Sequence, residues 1–97
     1  MILQTAIEHY GVEKQLNKVD EELRELLIAL KKWRRDKSKI NELTDEIADV
    51  KNMLPQLIMI LSAHYEVDFN VLVDERINFK LNRLKQRIED DQNRHGV

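Results

Sequence analysis

The sequence predicts an all-α protein, made of an antiparallel helical hairpin and further helices. Only two glycines and one proline occur in 97 residues, too few for the turns of a β-protein. Charged residues make up 35% of the chain and hydrophobic residues 42%, a mixture typical of amphipathic helices. Because so short a chain buries limited surface, we expect copies to associate and complete a four-helix-type bundle.

The first part of the chain predicts two helices. Residues 2–9 form a short helix that stops before Gly11, and a long helix follows over about 12–35. Apolar residues of the long helix recur with a period of about 3.6, which predicts a seam that faces a partner helix. The seam residues are Leu16, Val19, Leu23, Leu26, Leu27 and Leu30.

A charged stretch over residues 34–39 (RRDKSK) breaks this pattern. Ser38 or Asn41 is placed to cap a second long helix over about 40–65. Pro55 lies inside that helix, where we expect it to remove one backbone hydrogen bond and to bend the axis. The predicted seam of this helix contains Ile40, Leu43, Ile47, Val50, Leu54, Leu57, Ile58 and Leu61.

Asp68 is the predicted N-cap of a last helix. The polar tail after about Glu89 is expected to fray, and residues 1–97 are expected to form one domain. The apolar residues predicted to face inward on this helix are Val73, Ile77, Leu81, Leu84 and Ile88.

Composition excludes several classes of protein. The chain has no cysteine, so disulfides and thiolate chemistry are absent. No apolar run approaches the roughly 18 residues of a membrane span, and no signal peptide opens the chain. The formal net charge of −2 argues against a dedicated nucleic-acid binder. We therefore expect a cytoplasmic protein without a membrane or nucleic-acid partner.

Four carboxylates are predicted to meet on one edge of the hairpin. On helical wheels, Glu22 and Glu46 lie about 70–80° from their seams, and Glu25 and Asp49 lie about 130–140° away in the same sense. The residue numbers of Glu22 and Asp49, and of Glu25 and Glu46, both add up to 71. Pairs with equal sums are level in an antiparallel hairpin, and this sum places the turn within the charged break.

Two interpretations of these carboxylates remain open. Glutamate and aspartate are common on solvated helix edges, so one pair at this spacing means little. Two pairs at matched height on matched sides repel one another unless a cation neutralises them. All-oxygen ligands suit a hard cation such as Mg²⁺ or Mn²⁺.

These residues carry a resemblance to a known family. The segments EELRE (residues 21–25) and EIAD (residues 46–49), with the lead-in IEHYGVEKQLNKVDEELREL, resemble the EExxE and ExxD signature of the MazG-like all-α nucleoside triphosphate pyrophosphohydrolases. The resemblance is to the short phage and bacterial members and covers residues 2 to about 88.

The resemblance implies Mg²⁺-dependent cleavage of a nucleoside triphosphate (NTP) or its deoxy form (dNTP) between the α and β phosphates. It implies homodimers or homotetramers that share a bundle core, and it implies Glu22, Glu25, Glu46 and Asp49 as metal ligands. Glu21 matches the first glutamate of the signature and is a ligand through a partner helix, a water-activating base or plain surface. Glu21 or Glu25 is the candidate catalytic base.

Further candidates concern the substrate. Gln15 and Lys18 share the flank of Glu22, a region that related members use near the substrate; the alternative is that both are solvated polar residues. On the last helix, the central Lys80 and Arg83 are the candidates for phosphate contacts, and a solvated basic face is the alternative. They belong to a stripe of Arg76, Lys80, Arg83 and Arg87.

Two other functions remain compatible with the sequence. One is a non-catalytic helical interaction or regulatory module on the same scaffold. The other is a related pyrophosphohydrolase that acts on dUTP or phosphoribosyl-ATP.

Overall fold

The computed structural model describes residues 1–95 and confirms the all-α class, since that range contains helices and no strand. The last two positions of the predicted domain over 1–97 lie outside the described residues. The chain divides after Glu66 into two compact units. The helices are α1 (Ile2–Tyr10), α2 (Val12–Arg35), α3 (Ile40–Tyr65) and α4 (Phe69–His95), with a 3₁₀ turn at Lys37–Lys39.

Gly11 forms the corner between α1 and α2. Its φ of +91° lies in a region that side-chain-bearing residues rarely adopt, which explains glycine at this position. The Gly11 N–H donates to the Ile7 carbonyl at 2.8 Å, and the Gln15 N–H donates to the Gly11 carbonyl at 3.1 Å. The corner thus caps both helices and returns the chain so that α1 contacts α2 and α3.

The connection between α2 and α3 is held by Asp36. Its carboxylate accepts hydrogen bonds from the Ser38 N–H at 3.0 Å and from the Ser38 hydroxyl at 2.7 Å, and these bonds lower the pKa of Asp36. The prediction that Ser38 or Asn41 caps α3 is wrong. The 3₁₀ turn runs directly into α3, whose preceding residue, Lys39, makes no side-chain capping bond.

A buried amide pair fixes the alignment of α2 with α3. Gln15 donates from Nε2 to Oε1 of Gln56 at 2.5 Å, and both side chains are buried. Gln15 is near the start of α2 whereas Gln56 is in the second half of α3, so the helices run antiparallel. Their residue numbers add up to 71, which confirms the predicted alignment, and α2 ends at Arg35 as expected. The helix continues through Pro55 to Tyr65.

The face that packs between α2 and α3 differs from the predicted seam. Several predicted core residues are 40–52% exposed, because the packed face is turned towards the carboxylates by about 80°. The buried residues of the two helices are Gln15, Val19, Glu22, Ala29, Leu43, Val50, Met53, Gln56 and Ile60. Five exposed residues of the predicted seams, here called the leucine face, lie on one side of the hairpin: Leu23, Leu27, Leu30, Ile47 and Leu54.

The second unit is built on α4. Asp68 accepts a hydrogen bond from the Asn70 N–H at 3.0 Å, as expected of an N-cap. The helix extends to His95, beyond the predicted start of fraying at Glu89. Its predicted inward residues are 37–57% exposed, so that part of the core prediction is wrong. None of the described helices has an apolar stretch long enough to cross a bilayer.

The buried amide pair gives a test of this packing. Gln15→Leu leaves Oε1 of Gln56 without its donor, so we expect the free energy of unfolding to fall by about 1–3 kcal/mol. Replacing both glutamines by leucine removes the unsatisfied group and is expected to recover most of that loss. Urea denaturation at fixed protein concentration measures both effects.

The control is Gln86→Leu on the exposed face of α4, which should change the free energy of unfolding by less than about 0.5 kcal/mol. The single variants Gln15→Leu and Gln56→Leu each lose some free energy of unfolding. A double variant that loses as much as the two singles added together would contradict the assigned contact.

Candidate metal centre

Three carboxylates converge between α2 and α3. Glu22, Glu25 and Glu46 each present one oxygen, and these oxygens lie within 4.8 Å of one another. Glu22 and Glu25 are three residues apart and therefore lie on neighbouring turns of one face. Glu46 reaches the same level from α3 because the Gln15–Gln56 alignment places it opposite Glu25. The structure thus brings together three of the four predicted metal ligands.

Asp49 is not part of this group. Its side chain is exposed, whereas Glu46 is partly buried. Three residues further along α3, Asp49 is turned about 60° from Glu46, and the short aspartate side chain reaches less far. The assignment of Asp49 as a fourth ligand stays a prediction.

Two of the clustered residues carry a buried oxygen without a hydrogen-bond partner. Glu22 is only 4% exposed. Its Oε2 is fully buried and unpartnered, and so is Oε2 of Glu46. Leaving a buried carboxylate oxygen unsatisfied costs free energy, and such groups are rare in folded proteins. A hard cation would satisfy these oxygens, so the residues present fit the group that the resemblance implies.

Lys18 supplies positive charge to the cluster. Its Nζ lies 3.0 Å from Oε1 of Glu22 and 3.8 Å from Oε2 of Glu21, one turn of α2 away. The hydrogen bond to Glu22, with the charges of Glu22 and Glu21, raises the pKa of Lys18. Within residues 1–95, no other ammonium or guanidinium lies within 4 Å of Glu22, Glu25 or Glu46. The cluster therefore contains more negative than positive charge.

This excess of negative charge affects the pKa of Glu25. Partial burial raises its pKa, and the negative charges of Glu22, Glu46 and Glu21 raise it further. A hydrogen bond with Glu21 acts in the same direction. Glu25 therefore holds a proton more tightly than an ordinary glutamate, which is the property of a carboxylate suited to proton transfer.

The remaining predicted site residues have different surroundings. Gln15 is buried and bonded to Gln56, so the solvated alternative is wrong for Gln15, while its contact with substrate stays a prediction. Glu21 is exposed. Lys80 and Arg83 lie on α4, outside the unit that carries the cluster, and their role stays a prediction. The Arg83 guanidinium lies 5.7 Å from the ring centroid of Phe79.

An open groove that was not predicted from the sequence lies beside the cluster. Ile28 and Ala29 of α2 contribute apolar side chains to its lining, and Lys32 adds a positive charge beside four carboxylates. The signal was the continuation of the Glu25 face along α2, since Ile28 and Lys32 lie three and seven residues further on. The lining residues are Glu25, Ile28, Ala29, Lys32, Glu42, Asp45 and Glu46.

Comparison with protein-family models, curated proteins and solved structures finds no match to this chain. The MazG-like resemblance therefore rests on the EELRE and EIAD segments and their lead-in alone, and membership of that family stays a prediction.

The pKa of Glu25 predicts how stability depends on pH. Its pKa is raised in the folded protein, so the folded state binds this proton more tightly than the unfolded state. Without a divalent cation, the contribution of Glu25 to stability is complete below the ordinary pKa of 4.5 and is lost as the pH rises through the raised pKa. We therefore compare the free energy of unfolding of Glu25→Gln with that of the parent. The difference, variant minus parent, should increase as the pH rises from 4.5 through the raised pKa of Glu25.

Denaturant unfolding in EDTA at a series of pH values measures this difference. Glu13→Gln, an exposed glutamate of α2, is the control and should show no such increase. A relative stability of Glu25→Gln that stays constant or falls with pH would exclude the assigned electrostatics.

Proposed function

We propose that the protein is a Mg²⁺-dependent pyrophosphohydrolase that converts an NTP or dNTP to the monophosphate and pyrophosphate. One observation carries the proposal. The buried Glu22 keeps an unpartnered oxygen where three carboxylates from two helices converge. The resemblance of EELRE and EIAD to the pyrophosphohydrolase signature supports this choice of reaction.

The residues fit a hard divalent cation. Glu22, Glu25 and Glu46 would hold it, and Mn²⁺ is an alternative to Mg²⁺ because both accept all-oxygen ligands. When bound there, the cation would polarise phosphate oxygens and neutralise charge on the leaving pyrophosphate.

The chain itself supplies the proton acceptor. Glu25, with its raised pKa, or its exposed neighbour Glu21 takes the proton of the attacking water. The groove beside the cluster is the proposed place for the substrate. Ile28 and Ala29 in its lining would contact a base or sugar, and Lys32 would contact a phosphate. Lys80 and Arg83 are proposed as additional phosphate contacts.

We also propose a homodimer or homotetramer that covers the leucine face. Five half-exposed apolar side chains on one side of a hairpin form a surface of the kind that protein interfaces bury.

The exposed apolar residues also favour a second candidate function, a non-catalytic interaction module. A single enzymatic measurement separates the two candidates, and the same measurement distinguishes general NTP or dNTP hydrolysis from action on dUTP or phosphoribosyl-ATP.

The proposal is tested by pyrophosphate release from a panel of NTPs, dNTPs and phosphoribosyl-ATP. With Mg²⁺ or Mn²⁺ we expect release from at least one substrate and none in EDTA. Glu22→Gln and Glu46→Ala remove cluster oxygens and should lower the rate by roughly 100-fold or more, with unchanged helicity by circular dichroism.

The matched control is Asp20→Asn, an exposed carboxylate of α2 that pairs with Arg24 instead. It should keep the parent rate. Full activity of the folded Glu46→Ala protein would show that the site is wrongly assigned, and no release from any substrate would favour the interaction module.

The leucine face predicts the state of assembly. At micromolar concentration the parent should sediment as a dimer or larger species, and Leu27→Lys should shift it towards monomer by placing a charge within the apolar interface. Leu27 is 52% exposed in the single chain, so the substitution should leave helicity intact.

Ile2→Lys on α1, with 77% exposure, is the control and should leave the assembly unchanged. A monomeric parent in sedimentation equilibrium would rule out the shared bundle.

A further inference from the structure

The two oxygens of Glu22 have different surroundings. Oε1 accepts a hydrogen bond from Nζ of Lys18 at 3.0 Å, whereas Oε2 is buried and has no partner. One oxygen of the carboxylate is therefore paired with an ammonium of the same helix, and the other has no partner. A cation bound to Oε2 would share this carboxylate with Lys18.

Lys18 is placed to meet an incoming anion. Its side chain is 48% exposed, while the Glu22 side chain is 6% exposed, so the ammonium forms the boundary between the buried carboxylate and solvent. An ammonium has three donors, and the bond to Glu22 uses one of them. A second contact, with Glu21, is longer at 3.8 Å and leads to an exposed carboxylate. The ammonium can therefore bind a phosphate oxygen while it stays on Glu22.

The position of Lys18 has opposite effects on two ligands. Two positive charges that share one carboxylate repel each other, so Lys18 weakens the binding of a divalent cation to the free protein. A phosphate group that contacts both charges removes this repulsion and gains a charge-assisted hydrogen bond. By linkage, the cation and the phosphate must then strengthen each other's binding by the same factor.

Resting on the proposed cation site, we infer that Lys18 is a phosphate-binding residue that Glu22 holds beside the cation and that couples cation binding to polyphosphate binding. The ligand class is a di- or triphosphate group, which can contact the cation and the ammonium together. The coupling keeps the site weakly occupied by cation until the substrate arrives.

The competing interpretation is an ordinary surface ion pair between residues four apart on a helix. Such a pair contributes little to stability and binds nothing. Both interpretations allow cation affinity to rise when Lys18 is replaced, because a positive charge beside Glu22 is lost. They differ in pyrophosphate affinity, which falls only if Lys18 binds phosphate.

Isothermal titration calorimetry tests the inference on the full-length protein at one ionic strength. Mn²⁺ is titrated alone, and inorganic pyrophosphate is then titrated with equal Mn²⁺ in cell and syringe. For Lys18→Met we expect Mn²⁺ affinity to rise by roughly fivefold or more. Pyrophosphate affinity should fall by roughly tenfold. Lys18→Arg keeps the charge and should lie close to the parent in both titrations.

Lys14→Met is the matched control, since Lys14 is an exposed lysine one turn earlier on α2. It loses the same charge and should change neither affinity. Circular dichroism confirms that each variant keeps its helices.

Unchanged or weaker Mn²⁺ binding by Lys18→Met overturns the inference, and so does parent-like pyrophosphate binding. If those results occur while the parent binds Mn²⁺ and hydrolyses a nucleotide, the proposed function stands without this role for Lys18. A parent that binds no Mn²⁺ overturns the cation site and the inference together.

Discussion

The packing of α2 on α3 through a face that contains Glu22 is the constraint on which the site depends. The Gln15–Gln56 hydrogen bond fixes the axial alignment of the helices, and that alignment sets Glu46 level with Glu25. The rotation of the helices then decides which side chains are enclosed. Because Glu22 is enclosed, the hairpin holds a carboxylate away from water, and Lys18 neutralises part of its charge. Partial burial of Glu25 raises the pKa of that residue, and the nearby charge of Glu22 raises it further.

The sequence predicted the axial alignment because that depends on local signals. The charged break at residues 34–39 sets the turn, and an antiparallel hairpin with a short turn has little freedom to slide. The rotation was not predicted. On α2, Val19 with Ala29 and Leu23 with Leu27 form two adjacent stripes, and both satisfy a helical period. A wheel centred on the larger side chains selects the leucines, whereas the observed packing buries the smaller pair, Val19 and Ala29.

The rotation of the helices about their axes also limited how much of the site could be predicted. Glu22, Glu25 and Glu46 were found because their spacing along each helix and their level in the hairpin do not depend on how the helices are rotated about their axes. Asp49 differs from them because it lies about 60° around α3 from Glu46 and has a shorter side chain, which is exposed. The buried contact of Gln15 and the bond from Asp36 to Ser38 depend on specific side-chain geometry, which periodicity does not encode. Five exposed apolar side chains on the leucine face reflect the same rotation.

The buried carboxylate of Glu22 does not help to stabilise the hairpin. An apolar residue at the position of Glu22 would pack against α3 without desolvating a charge, and such replacements of buried polar groups are often neutral or stabilising. Glu22 instead leaves one oxygen unpartnered and needs Lys18 at the other. Glu25 and Glu46 add repulsion at the same place, while the leucines that could have filled the interface face outward. Residues that oppose folding and converge on one point are characteristic of sites where stability is given up for ligand binding. Negative charge on oxygen atoms from two helices suits a hard cation, which is why a divalent cation is the proposed ligand.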